Sequence, residues 1–222
     1  MQEIEAKFYV LDLDRIRMRL QSLEALLIQE RVLETNIRFD LPDGGLRSEG
    51  RVLRLRQDTE AKLTYKGPSS TDQGVLSHTE IEFNVGDYDK AKAFIEALGY
   101  QKLFYYEKYR TTYELHQTSE VFVEHPRNGV EGAETSEVLH VMLDELPYGN
   151  FVEIEGEGVE SIRAVANKLN LNWDTAAPIS YHLLFTRLCA KHPELDPSDL
   201  SFSALKGLEI SAEDLSIRAA NG

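Results

Sequence analysis

Several short segments of this chain alternate charged and apolar residues with a period of two. The opening run Glu3-Ile4-Glu5-Ala6-Lys7 is the first of them. Successive side chains of a β-strand point to opposite faces of the sheet. Such a segment therefore has one charged face and one apolar face. This pattern predicts β-sheet whose two faces differ sharply in polarity, and it restricts the folds open to the chain more than any other feature.

The same alternation recurs along the chain, and in most segments the paired charges have one sign. The pairs are Arg54/Arg56, Lys62/Lys66, Glu80/Glu82, Lys108/Arg110 and Glu153/Glu155. Like charges on one face of a strand repel each other, which is a local cost. A solvent-facing surface is the simple alternative, but it predicts more Ser, Thr, Gln and Asn at these positions. We therefore expect the charged faces to line a closed cavity, in which acidic strands hold metal ions and basic strands hold a polyanion.

Turn residues and apolar spacing predict roughly eight strands and about three helices. Apolar spacing predicts a helix in the second half of 11–28, and the polar segment 69–74 is expected to be a mobile loop. Strands are expected at 31–41, Val52–Gln57, Ala61–Lys66, 77–85, 103–115, 120–124, 139–146 and 151–157. The fold class that follows is α+β. It is an eight-stranded antiparallel closed β-barrel with a charged interior, and its helices pack outside against residues such as Ile4, Leu53 and Ile154.

Composition restricts the kinds of partner that this chain can bind and the cellular compartment in which we expect it. The formal net charge of −14 disfavours a general nucleic-acid binder, although it leaves room for a local phosphate pocket. No apolar run is long enough to span a bilayer, and no signal peptide opens the sequence. Cys189 is the only cysteine, so no intramolecular disulfide forms and a reducing cytoplasm is the expected location.

An ordered set of motifs gives this chain a resemblance to a known family. The set comprises Glu-x-Glu-x-Lys at 3–7, Arg-Leu-Arg at 54–56, Lys66-Gly67-Pro68, Glu80-x-Glu82, Lys108-x-Arg110, Asp144 and Glu153-x-Glu155. Together these motifs resemble the CYTH superfamily, the triphosphate tunnel metalloenzymes, and most of all its bacterial class IV adenylyl cyclase-like branch. The resemblance covers about residues 1–190, which we predict to be the tunnel domain. Residues 191–222 lie outside it and are predicted to be a helical or flexible appendage.

The resemblance implies a role for each matching position. Metal-site carboxylates are Glu3, Glu5, Glu153 and Glu155, with Asp144 as a further member. Glu80 and Glu82 join Glu3, Glu5, Glu153 and Glu155 as catalytic acidic residues, by binding a second metal or orienting water. The substrate-binding clamp comprises Lys7, Arg54, Arg56, Lys62, Lys66, Lys108 and Arg110. The expected cofactor is Mg²⁺ or Mn²⁺, and the expected partner is a small molecule that contains a triphosphate. No nucleic-acid or membrane partner is expected, and a homodimer is allowed.

These residue types suit the binding of a triphosphate. Arg donates two parallel hydrogen bonds to phosphate oxygens, and Lys acts as a point charge. Mg²⁺ and Mn²⁺ prefer carboxylate and phosphate oxygens as ligands. Three functions remain open at this stage. We favour hydrolysis of inorganic triphosphate or a nucleoside triphosphate, because this reaction needs only water as nucleophile. The alternatives are cyclisation of ATP to cyclic AMP with release of pyrophosphate, and polyanion binding without catalysis.

Overall fold

The computed structural model describes the backbone of residues 2–125 and 129–221, and the side chains of residues 4–71, 73–116 and 137–221. The predicted site residue Glu3 contributes its backbone to the first strand, but its side chain lies outside the described part. The strands are β1 Gln2–Val10, β2 Leu26–Asp40, β3 Val52–Gln57, β4 Ala61–Lys66, β5 Ser70–Asp72, β6 Val75–Val85, β7 Gln101–His125, β8 Gly129–Leu146, β9 Gly149–Gly156 and β10 Asp199–Leu200. The helices are α1 Leu13–Ser22, α2 Gly45–Ser48, α3 Tyr88–Ala97, α4 Val159–Lys168 and α5 Tyr181–Lys191.

Eight of the described strands close into a ring. Hydrogen bonding follows the order β1-β9-β8-β7-β2-β3-β4-β6, and β6 pairs with β1 to complete the circuit. Every neighbouring pair in the ring is antiparallel. The short β5 forms a hairpin with β6, and β10 pairs in parallel with β7. The predicted antiparallel α+β fold with an eight-stranded closed sheet is thus confirmed.

The helices cover the outer, apolar face of the ring at the three predicted residues, whereas Ile81 and Phe83 of β6 stay exposed. Ile154 is fully buried in a core cluster that includes Ile162 and Val165 of α4, and Ile4 packs against the same cluster. On the opposite side, Leu53 packs against a cluster that contains Ile95 of α3. Because the apolar face is taken up by these clusters, the alternate residues of each strand turn towards the interior.

Helix α1 begins at an Asp12 cap, whose carboxylate accepts the backbone N–H groups of Asp14 and Arg15. The helix ends at Ser22, because Glu24 adopts a left-handed φ of 57°. Strand β2 then begins at Leu26 and not at residue 31 as expected, so the helical spacing predicted to reach residue 27 is wrong in its last turn. Pairing of β2 with β7 accounts for this early start, since backbone pairing overrides a short helical pattern.

Two other predicted segments differ in the structure. The segment 69–74, expected to be a mobile loop, contains β5 and its turn into β6. The separate strands expected at 103–115 and 120–124 form the single strand β7, and the strand expected at 139–146 begins already at residue 129 in β8. Backbone pairing is continuous between β7 and β8 from Tyr109 to His125. This pairing unites segments whose sequence patterns looked independent.

Residues 192–221 pack against the ring and α5. Leu200, Leu205 and Leu215 are buried in one cluster with Phe185 of α5. The backbone N–H of Ala220 donates to the carbonyl oxygen of Tyr9 at 2.8 Å. The described part of this segment contains turns and β10, without a helix. The boundary between the tunnel domain and the appendage near residue 190 stays a prediction.

Among the described residues, no helix is long and apolar enough to span a bilayer.

Candidate active site

A cavity of about 1100 Å³ lies on the inner face of the ring. All eight ring strands contribute side chains to its wall, and Ser180 to His182 at the start of α5 contribute at one end. Of the predicted site residues whose side chains are described, every one except Asp144 lines this cavity. The lining members are Glu5, Lys7, Arg54, Arg56, Lys62, Lys66, Glu80, Glu82, Lys108, Arg110, Glu153 and Glu155.

The acidic part of the wall is formed by β1 and β9. In the register of these strands Glu5 is the direct partner of Glu155, and Lys7 is the direct partner of Glu153. The ammonium of Lys7 lies 3.2 Å from a Glu5 oxygen and 3.0 Å from a Glu153 oxygen. Burial lowers the pKa of Lys7, but Glu153 and Glu5 outweigh burial and raise it overall. Lys7 therefore stays charged and holds the two carboxylates together.

The basic part of the wall surrounds Glu82. One Glu82 oxygen accepts the Thr64 hydroxyl at 2.8 Å, and the other lies 3.2 Å from Arg56 and 3.4 Å from Lys62. Arg54 reaches the first oxygen at 3.5 Å. Burial opposes ionisation of Glu82, but these neighbours outweigh it and keep the pKa of Glu82 below its ordinary value. The carboxylate therefore stays ionised.

A second contact of the same kind joins β4 to β6. Lys66 lies 3.1 Å from an oxygen of Glu80. Each acidic residue of β6 is thus placed beside basic residues of the neighbouring strands, which keeps the cations at fixed positions on the cavity wall.

Asp144 lies on the inner face of β8, directly opposite Arg110 in the strand register, but its side chain does not line the cavity. Its side chain is fully buried, and it accepts hydrogen bonds from Lys108 at 3.0 Å, from the Nε of Arg110 at 2.6 Å and from the hydroxyl of Tyr181 at 2.8 Å. Arg110 also bonds Glu153 at 3.0 Å. In this arrangement the carboxylate fixes two cations of the predicted clamp. Both its oxygens are occupied, so the geometry is that of a positioning residue more than of a metal ligand.

Tyr181 closes the cavity next to this buried group. It follows the Ser180 cap of α5, and its ring lies 4.6 Å from the Lys7 ammonium and 5.4 Å from that of Lys108. The pKa of the Tyr181 hydroxyl is raised well above its ordinary value. Burial is the largest cause, and the charges of Asp144 and Glu153 add to it. The hydroxyl therefore stays protonated and remains a donor to Asp144.

Sequence analysis missed two charged residues of β2 that line the cavity, Glu34 and Arg38. Glu34 is 1% exposed, accepts a hydrogen bond from Asn36 at 2.9 Å and lies 3.5 Å from Lys108 and 3.7 Å from Arg56. Burial disfavours the charged form of Glu34, but the surrounding cations, Lys108 first, hold its pKa far below the ordinary range. The two-residue alternation of Glu34, Asn36 and Arg38 was visible in the sequence. Its mixed charges did not match the like-sign pairs that marked the other strands.

The carboxylates of β1 and β9 suit a divalent cation in their chemistry. Glu5 and Glu155 are direct partners in the register of β1 and β9, so their side chains lie on one face and are close enough to bind the same cation. Mg²⁺ commonly binds one or two carboxylates together with substrate phosphates, so this pair is enough. Within the described side chains no group of three or more His, Cys, Asp or Glu is arranged to hold a metal. Glu5 and Glu155 are therefore the residues that would hold Mg²⁺ or Mn²⁺, completed by ligands from outside the described set or from the substrate.

Known proteins resemble this chain in sequence. The CYTH domain family model matches residues 1–173. Among curated proteins, "Adenylate cyclase CyaB" of Aeromonas hydrophila is 29% identical over 114 residues, which is 50% of this chain and 56% of that protein. The match thus spans about half the length of that curated relative.

Solved structures share the fold at low identity. A candidate adenylate cyclase of Vibrio parahaemolyticus gives a TM-score of 0.62 at 20% identity, over 81% of this chain and 94% of that one. A conserved protein of Pyrococcus furiosus gives 0.59 at 24% identity, over 81% and 97%. A candidate adenylyl cyclase of Hippeastrum, described as having a dominant triphosphatase activity, gives 0.50 at 17% identity, over 74% and 83%.

Proposed function

Because the chain belongs to the CYTH domain family, we propose that it is a divalent-metal-dependent phosphohydrolase. Its substrate is inorganic triphosphate or the triphosphate of a nucleotide, bound inside the ring. Water attacks the terminal phosphorus, the bond to the bridging oxygen breaks, and orthophosphate and the shortened phosphate chain leave. The cofactor is Mg²⁺ or Mn²⁺.

One observation carries this proposal: seven predicted cations and five predicted carboxylates line the same cavity. A triphosphate has about four negative charges, so a confined space with several Arg and Lys side chains suits it. Phosphoryl transfer depends mainly on positioning and on stabilising charge. The described carboxylates are more numerous than an anion sink needs, which argues against binding without catalysis.

The residues of the wall have distinct tasks in this reaction. Arg54, Arg56 and Lys62 are gathered around Glu82 and exchange that carboxylate for phosphate oxygens when the substrate enters. Asp144 holds Lys108 and Arg110 of β7, a strand that β2 separates from β3 in the ring. These two groups of cations hold the substrate at fixed positions, so the terminal phosphate is oriented before the reaction begins.

The carboxylates of the wall provide the other half of the site. Glu5 and Glu155 would hold a divalent cation, which would supply Lewis-acid stabilisation of phosphate charge and lower the pKa of bound water. Glu82 is ionised, so after its cations turn to the substrate it is free to accept a hydrogen bond from water and orient it. Lys7 keeps Glu5 and Glu153 together throughout.

Cyclisation of ATP is the second candidate, supported by the curated relative named as an adenylate cyclase. In that reaction the ribose 3′-hydroxyl attacks the α-phosphorus and pyrophosphate leaves. The same clamp serves both reactions. They differ in the phosphorus that meets the nucleophile.

The test is product analysis. The protein is incubated with ATP or with tripolyphosphate, each with Mg²⁺ or Mn²⁺ and with a chelator as control, and the products are separated. Orthophosphate without cyclic AMP, released only with metal, is the expected result. Cyclic AMP with pyrophosphate would replace the proposal by the cyclase, and tight binding without any turnover would replace it by a polyanion binder.

A further inference from the structure

Among the described residues Arg38 makes no ion pair with a carboxylate, unlike Arg54 and Arg56. It lines the cavity from β2, and its Nε is buried without a hydrogen-bond partner among the described atoms. The Nε atoms of Arg54 and Arg56 are buried in the same way, but each of these two residues reaches a Glu82 oxygen within 3.5 Å through a terminal nitrogen. A buried polar group without a partner is unfavourable unless a ligand satisfies it. Arg38 therefore offers a hydrogen-bond donor without an ion-pair partner on the cavity wall.

The surroundings of Arg38 are positive. In the strand register it lies directly opposite Arg54. Burial lowers the pKa of Arg38, and Arg54 and Arg47 lower it further, whereas Tyr106 and Asp40 oppose the decrease. The oxygens of Asp40 accept the backbone N–H groups at residues 41, 46 and 47 and make no ion pair with Arg38. The charge of Arg38 is thus only partly compensated.

His182 occupies the same end of the cavity. It lies in the first turn of α5, whose N-terminal end adds partial positive charge. Burial lowers the pKa of His182 to about 4, and the charges of Arg38 and Arg47 contribute to the decrease. The neutral imidazole is therefore able to gain a proton when an anion approaches.

The charge on β2 changes from negative at Glu34 to positive at Arg38. Glu34 and Arg38 share the inner face of the strand, four residues apart. Glu34 partly neutralises Lys108 and Arg56 in the middle of the cavity, whereas Arg38 is unpaired at the α5 end. An anion is therefore drawn towards Arg38 and away from Glu34.

We propose that Arg38 and His182 form a further anion position at the α5 end of the cavity, which takes one phosphate group more than a triphosphate carries. Neighbouring strands are about 4.8 Å apart, so a phosphate chain held by Arg54 comes within reach of Arg38. The substrate class that follows is a linear polyphosphate of four phosphates. The preference for it rests on the proposed function, since it extends the same clamp.

The test compares linear tetrapolyphosphate with linear tripolyphosphate by their values of kcat/KM. In Arg38→Gln the ratio of tetrapolyphosphate to tripolyphosphate should fall by about tenfold, which is the expected effect of losing one charge-assisted contact. Arg38→Lys keeps the positive charge but loses the forked guanidinium, so its ratio should lie between those of the wild type and Arg38→Gln. Arg19→Gln removes the same charge from the exposed face of α1 and should keep the wild-type ratio.

A second readout does not depend on turnover. The pKa of His182 is followed by NMR without added divalent metal, and the resonance is assigned by its loss in His182→Gln. Tetrapolyphosphate should raise the pKa of His182 more than tripolyphosphate does in the wild type, and the two should not differ in Arg38→Gln. A structural role of Arg38 alone would not produce this difference.

The outcomes separate the two proposals. An unchanged tetrapolyphosphate-to-tripolyphosphate ratio in Arg38→Gln, or an equal effect of both anions on His182, overturns the anion position. A loss confined to ATP would assign this end of the cavity to the nucleoside, which also overturns it. If the wild type hydrolyses neither polyphosphate nor ATP, the proposed function fails, and the NMR titration still decides whether the anion position exists.

Discussion

The carboxylate of Asp144 is fully buried and accepts hydrogen bonds from Lys108, Arg110 and Tyr181. Its place in an ordered motif suggested a metal ligand, but burial decides what a carboxylate can contact. A positioning role follows from the contacts, because the two cations that Asp144 binds line the cavity.

Replacing Asp144 by Asn is expected to destabilise the protein by about 3–5 kcal/mol, because two buried cations lose their counter-charge. Urea unfolding measures this loss. Asp14→Asn is the matched control, since its carboxylate is 81% exposed and its ion pair with Arg17 is expected to contribute within about 0.5 kcal/mol. Wild-type stability in Asp144→Asn together with weakened Mg²⁺ binding would instead support the metal-ligand hypothesis.

His182 makes stability depend on pH. Its pKa falls from 6.5 to about 4 in the folded protein, because of burial and then of Arg38 and Arg47. As the pH drops below 6.5, the unfolded chain takes up this proton before the folded protein does, so the folded state loses stability down to about pH 4.

Compared with His182→Gln, the wild type should therefore lose on the order of 1 kcal/mol more over this interval, after allowance for solvent screening. Denaturant titrations at a series of pH values measure the difference between the two proteins. A constant difference across the interval would show that His182 is not held neutral by its surroundings.

At the scale of elements, β3 and β4 could be predicted from sequence because each has a strong local pattern. Both strands were predicted with their observed bounds. The early start of β2 and the long β7–β8 hairpin could not be predicted in this way. Their limits are set by pairing between segments far apart in sequence, which no local pattern records.

Helix α5 offers a test of how the closed end of the cavity is held. Phe185 is fully buried and packs against Phe104 and Tyr148, with ring centroids 5.9 and 6.5 Å away. Phe185→Ala should cost about 3–5 kcal/mol of unfolding free energy, because it leaves a cavity in this aromatic cluster. Leu183→Ala, on the exposed face of the same helix, should cost far less, about 0.5 kcal/mol or under. Equal losses in chemical denaturation would contradict the packing of α5 described here.

At the scale of the whole molecule, closure of the ring turns a repeated local pattern into one site. The two-residue alternation identified which face of each strand is charged, and that was enough to place twelve side chains on a common cavity wall. It did not identify Glu34 and Arg38, because their opposite charges on one strand look like an ordinary solvent face. It also did not predict that Asp144 is buried, because the side chains of Lys108, Arg110 and Tyr181 that cover it are brought together only by the complete fold.

The central claim is that this wall holds a divalent cation through Glu5 and hydrolyses a triphosphate. The most direct measurement is orthophosphate release from tripolyphosphate as a function of Mg²⁺ concentration, for the wild type, Glu5→Gln and the control Glu160→Gln on the exposed side of α4. The account predicts metal-dependent release by the wild type and the control. It predicts a decrease of about 100-fold or more in Glu5→Gln, since even outer-shell changes cost about 10–100-fold. Release by Glu5→Gln at the wild-type rate and with unchanged Mg²⁺ dependence would contradict it.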